Sequence, residues 1–289
     1  MDKTLAKGLM KPSIYFFIIQ LSSGLIWGTD NIIISAVLGT AAVTPYAVAF
    51  KFFMISSGLA SVITSNMLPA ITAAYALNNK HHLSGIYTNA LRLCFGIGFL
   101  AFFLLISIGP DLMVNWVGSG NYVGNSTFYL FICLIFITIV LWPSDTILMG
   151  TTQHSGYAKM AVFEGIINVL LSIWWIHIWG VAGVAAATLT ARLATNGWYM
   201  FYRTYVITGI GTNAFITKIL QPFVIPISGA TIMVYILSQI SFLGWYKLII
   251  NAVSICFIFT SLSYFLFLSR DQRLDINRLI RGYYGTHKT

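Results

Sequence analysis

The stretch Phe16 to Phe53, FFIIQLSSGLIWGTDNIIISAVLGTAAVTPYAVAFKFF, places one acid, Asp30, and one base, Lys51, inside otherwise apolar sequence. It reads as two helices joined by the short turn Gly39 to Pro45. A charge within a membrane span costs roughly 2.5–3.5 kcal/mol on insertion scales, so it is expected to face a helix bundle's interior and to have a partner. At 1.5 Å per residue from the turn, Asp30 lies about 13 Å deep and Lys51 about 9 Å deep. The two are therefore expected to lie within reach of each other, Asp30 either orienting Lys51 toward a cavity or simply neutralising it.

The rest of the chain has the same character. Of 289 residues, 58% are hydrophobic and 8% charged, against about a quarter charged in a soluble domain. This composition predicts an all-α, polytopic membrane helix bundle. Apolar segments fall at approximately 14–37, 46–76, 90–109, 127–149, 160–179, 183–206, 219–241 and 246–268, or about eight transmembrane helices. The second is long enough to include an interfacial turn. Lys3, Lys7 and Lys11 before an apolar run imitate a signal peptide, but the run is too long, carries Asp30 and lacks a small-residue cleavage site, so a retained first span is expected.

The formal charge of +9 would suggest nucleic acid in a soluble protein, but here the basic residues collect in alternate loops, and no nucleic-acid partner is expected. With a cytoplasmic N-terminus (1–13), the inside loops carry Lys80, Arg92, Lys159, Arg203 and Lys218; Lys247 alone falls outside. The positive-inside rule then places both termini in the cytoplasm. The tail 269–289 carries Arg270, Arg273, Arg278, Arg281 and Lys288, and reads as an orienting charge cluster or a short amphipathic helix on anionic lipid. Cys94, Cys133 and Cys256 are far apart within apolar segments, which suggests neither a disulfide framework nor a metal site. Pro69, Pro143, Pro222 and Pro226 are kink candidates. Gly24 and Gly28 form a G-x-x-x-G pair, and Gly180, Gly183 and Ala187 line the turn into the sixth span; both groups are expected to serve helix packing.

Beyond Asp30 and Lys51, the embedded ionisable residues are Asp145, Glu164 and Arg192, with Arg92 at a span start. Arg192 falls near the midplane, and its guanidinium suits an anionic phosphate head group in a bidentate fashion. The competing reading pairs it with Glu164 on the preceding span, although counting from their shared turn puts Glu164 roughly 8 Å deeper. Asp145 and Glu164, near the inner ends of consecutive spans, are expected to pair with Lys159, Arg92 or Arg203. No phosphate-binding loop, no G-x-S-x-G elbow and no H-E-x-x-H pair occurs, and the outer loops are short. An enzyme is therefore not expected, nor a cofactor; transport is.

Three stretches carry a resemblance: GTDNIIISAVLGTAAVTPYAVAFKFF, then NMLPAITAAY, then ILMGTTQHSGYAKMAVFEGIINVLLSIWWIHIWGVAGVAAATLTARL. An embedded Asp before an L-G-x-x-x-V-x-x-Y turn, a Pro closing the second span and a G-x-x-G-x-A-x-A-T helix start resemble the lipid-linked oligosaccharide flippases of the multidrug/oligosaccharidyl-lipid/polysaccharide exporter superfamily, the O-antigen and capsule branch. The resemblance implies one lobe of a two-lobe exporter fold. Residues 14–206 would be the second six-span lobe and 219–268 two additional C-terminal spans, with the first lobe missing or replaced by a second copy. It implies translocation of undecaprenyl-diphosphate-linked oligosaccharide across the bacterial inner membrane, alongside polysaccharide assembly proteins. Arg192, Lys51 and Asp30 would form the diphosphate and sugar cavity, and Glu164, Asp145 and Arg92 would serve in ion pairs or coupling. The alternatives are a cation-coupled multidrug exporter of the same superfamily, with Asp30 as the coupling acid, and an inactive fragment or membrane scaffold.

Overall fold

The computed structural model describes residues 3–240 and 244–267, and every regular element among them is helical. The basic tail expected on lipid lies outside the described residues. Seven helical segments are long and apolar enough to cross a membrane, and the chain is a multi-pass membrane protein. The expected sixth span is a further helical stretch, residues 181–208, which contains a π turn and is not among those seven.

The chain divides into two compact units, residues 1–211 and 212–289. In the first, helix α1 (Lys3–Leu38) leads through a 3₁₀ turn, Thr40–Ala42, into α2 (Val43–Ser65). The interfacial turn expected in the second apolar run falls at Asn66 and Met67. It is followed by the short α3 (Leu68–Ala76), with Pro69 in its first turn, where a missing N–H costs nothing. Then come α4 (Lys80–Val117), α5 (Asn125–Gly150), α6 (His154–Trp179) and α7 (Val181–Arg192). A π turn, Leu193–Gly197, continues α7 into α8 (Trp198–Thr208).

Helix α5 is central: 61% of its most apolar window is buried, against 33% for α4 and α6. It packs on α2, α4, α7 and α8. Its Phe131 ring lies 5.3 Å from Tyr46 and 6.1 Å from Phe53 on α2. Tyr87 of α4 and Ser144 of α5 share a buried 2.7 Å hydrogen bond. Helix α6 lies between α1 and α7, and its other side exposes Phe163, Ile166, Leu170 and Trp174. Large exposed apolar side chains suit a lipid-facing surface, because hydrocarbon solvates them as well as protein does.

The α6–α7 contact depends on Gly183. A Cβ there would run into the backbone carbonyl of Trp175, so only glycine lets the two helices approach this closely. The G-x-x-x-G pair behaves differently: Gly24 and Gly28 face no neighbouring atom within 4 Å and do not mark a helix contact. Spacing identifies small residues on one face of a helix, but not whether another helix crosses that face.

The second unit begins with α9 (Thr212–Phe215), continues through a π turn and a 3₁₀ turn holding Pro222, and enters α10 (Val224–Ser238). Helix α11 (Trp245–Phe267) packs against α10.

Candidate functional site

The polar residues of α6 and α7 form two facing stripes. On α6, Glu164, Asn168 and Ser172 recur every fourth residue, and all three are fully buried. Such spacing places side chains one above another on a single helix face. On α7 and the following turn, Thr188, Arg192 and Asn196 do the same. The stripes meet as an antiparallel ladder: Asn168 Nδ2 donates to Thr188 Oγ1 at 2.8 Å, and Arg192 Nε lies 2.7 Å from Glu164 Oε1.

Both rungs are symmetric about Ile178. Glu164 and Arg192 meet despite the offset expected from counting. The two helices approach most closely where Gly183 lies against the Trp175 backbone. The expectation that Glu164 pairs with Lys159, Arg92 or Arg203 is thus corrected: its partner is Arg192.

Around this ion pair, Glu164 Oε2 accepts from Asn196 Nδ2 at 2.7 Å and from Thr195 Oγ1 at 3.2 Å. Helix α1 covers the other side, with the Trp27 ring centroid 5.4 Å from Arg192 Cζ. Trp27 rests in turn on Phe50 and Phe53 of α2, at 5.7 and 5.1 Å. A guanidinium over an indole face is favourable by about 0.5–2 kcal/mol. Arg192 remains 13% exposed while Glu164 is wholly enclosed.

Asp30 lies one turn along α1 from Trp27 and is buried, but its partners are neutral. Tyr46 Oη donates to Asp30 Oδ2 at 2.5 Å, and Thr188 Oγ1 lies 3.3 Å from the same oxygen. Lys51 is exposed on α2, so the expected meeting of Asp30 with Lys51 is not observed. The reason is helical phase. Tyr46 and Ala49, both 1% exposed, define the inward face of α2, and Lys51 lies off it. Asp145 is half-buried and hydrogen-bonded by Tyr157 of α6, within electrostatic reach of Arg192, rather than paired with a basic loop residue. Arg203 instead donates to Gln153 at 2.7 Å. Arg92 is half-buried on α4.

Two carboxyl groups, Glu164 and Asp145, thus lie within electrostatic reach of one guanidinium, while Asp30 is held by neutral donors. Among the described residues, Asp30 Oδ1, Asn168 Oδ1 and Ser172 Oγ have no hydrogen-bond partner although buried. Of these, the Asp30 carboxylate oxygen is the one that can take up a proton. Trp27, Tyr46, Asn168, Thr188, Thr195 and Asn196 escaped the sequence reading. The spacing of four on α6 and α7 was the available signal for Asn168, Thr188 and Asn196. No protein-family model matches this chain, and no curated protein or solved structure does.

Proposed function

We propose that this chain takes part in moving undecaprenyl-diphosphate-linked oligosaccharide repeat units across the bacterial inner membrane for surface polysaccharide synthesis, as one lobe of a two-lobe exporter. The observation that carries this reading is Arg192. A permanently charged guanidinium sits in a membrane bundle, backed by Trp27 and partly accessible. Its Nε faces Glu164 Oε1 at 2.7 Å. Its planar donor fork matches phosphate oxygens. Lys51, exposed on α2, is the second cation of this reading and would meet the head group at the rim. The diphosphate would engage these cations while the lipid tail stays in the bilayer, and alternating access would come from rocking against a first lobe or a second copy. Both termini are assigned to the cytoplasm by the distribution of basic residues.

The test is complementation of a flippase-null strain with the remainder of the transporter supplied. Correctly inserted Arg192→Ala is expected to abolish surface polysaccharide and Lys51→Ala to reduce it severely. Normal polysaccharide from both variants would end the assignment.

Asp30 favours a second reading, a cation-coupled drug exporter. A buried acid with neutral partners and one oxygen without a hydrogen-bond partner is suited to exchange a proton or sodium ion during transport. Drug efflux lost in Asp30→Asn, with no glycan defect in the same cells, would select this reading.

A further inference from the structure

Glu164 is held by the π turn as well as by Arg192. The 2.7 Å contact between Arg192 Nε and Glu164 Oε1 is a charge contact in which neither atom completes an aligned hydrogen bond. The aligned bonds of the carboxylate go to its other oxygen, from Asn196 and Thr195. Thr195 has one hydroxyl proton, and Ala191 O stands closer to it, at 2.7 Å, so Asn196 is the principal holder. Both residues owe their placement to the π turn, whose extra residue carries them round toward α6. Gly197 lets the turn close: a Cβ there would lie 2.9 Å from the carbonyl oxygen of Arg192. The carboxylate therefore has an anchorage besides Arg192, whose contact with it runs through Nε, one of the five N–H donors of the guanidinium.

We propose that Glu164 is a tethered competitor for Arg192: a built-in carboxylate that neutralises the guanidinium when no anionic head group is bound and gives it up to incoming phosphate oxygens. Asn196 is the positioning residue that holds the displaced carboxylate, so that exchange does not leave a buried charge without donors. The proposal rests on reading Arg192 as an anion site. Its consequence is faster release, because Glu164 returns to Arg192 as the ligand leaves. A translocator needs such weakening, since a head group bound without competition would be captured and not delivered.

The full chain in lipid nanodiscs, probed with farnesyl diphosphate by equilibrium binding and stopped-flow dissociation, tests this. Wild type is expected to bind and Arg192→Ala not to. Glu164→Gln is expected to bind about tenfold more tightly, with release slowed in proportion, and Asn196→Ala about threefold more weakly. If Glu164 were only a nearby charge, Glu164→Gln would still tighten binding, but Asn196→Ala would leave it unchanged or tighten it; that result overturns the proposal. Unchanged or weaker binding by a folded Glu164→Gln also overturns it. Should that variant fail to fold, Glu164→Asp keeps the charge but withdraws it by one methylene, and must tighten binding about threefold for the proposal to stand. Binding that is absent in wild type, or unaffected by Arg192→Ala, removes the anion site and the competitor together. Binding that needs Arg192 but ignores Glu164 removes only the competitor.

Discussion

Two carboxylates are buried in the first unit, and they are satisfied in different ways. Glu164 meets a guanidinium and two side-chain donors. Asp30, 1% exposed, meets a phenol and a threonine hydroxyl, and its second oxygen has no hydrogen-bond partner. The two are joined through the ladder, since Thr188 contacts Asp30 and Asn168 while the next rung is Glu164 with Arg192. One seam of three helices thus carries a charge-compensated station and an uncompensated one. The first is suited to exchanging one anion for another. The second is suited to gaining and losing a positive charge.

Removing the compensating charge should show the largest difference. Arg192→Ala leaves Glu164 buried without its cation and is expected to destabilise the first unit by about 3–5 kcal/mol, measured as a lowered unfolding midpoint in detergent. The double variant Arg192→Met with Glu164→Leu should recover most of that loss, because neither charge then has to be desolvated. It should not recover transport. A double variant as unstable as the single would show that packing, and not charge compensation, distinguishes the Glu164 station.

Tyr46→Phe probes the other carboxylate. It removes the short hydroxyl bond to Asp30 and is expected to cost about 1.5–3 kcal/mol, the range for hydrogen bonds to charged groups. In a Tyr46→Phe background, Asp30→Asn should restore part of the stability, since an amide is cheaper to bury than a carboxylate. If Asp30→Asn instead deepens the loss, an unidentified cation compensates Asp30 and the contrast with Glu164 narrows.

The smallest effect is expected at Lys51. Its side chain is exposed, so Lys51→Ala should change stability by no more than about 0.5 kcal/mol, while its effect on surface polysaccharide stays large if the rim assignment is right. Loss of stability in this variant would reveal an acid partner and bring back the pairing with Asp30 expected from the hairpin.

Much of the architecture was legible. The long apolar runs became α1, α2 with α3, α4, α5, α6, α10 and α11, because hydrophobic length is a property of contiguous residues. The interfacial turn in the second run was legible for the same reason. Embedded charges could also be read from position alone, and Asp30, Glu164 and Arg192 do converge on one seam. Their pairing was not legible. Lys51 was assigned to Asp30 because both flank one turn, but a modest rotation about a helix axis carries a side chain off the inward face, and apolar residues on every side of α2 conceal that phase. The meeting of Glu164 with Arg192 was weighed but could not be chosen, because long side chains had to close the offset counted from their shared turn.

By itself, then, the sequence determined that this chain is a helical membrane protein with a few costly charges inside its spans. Those properties follow from local composition measured against a bilayer's thickness and low polarity. The tertiary structure alone decided which charges meet. That depends on helix register and rotation, set here by the backbone approach at Gly183 and by the π turn that swings Asn196 onto Glu164, contacts between residues that no local pattern ties together.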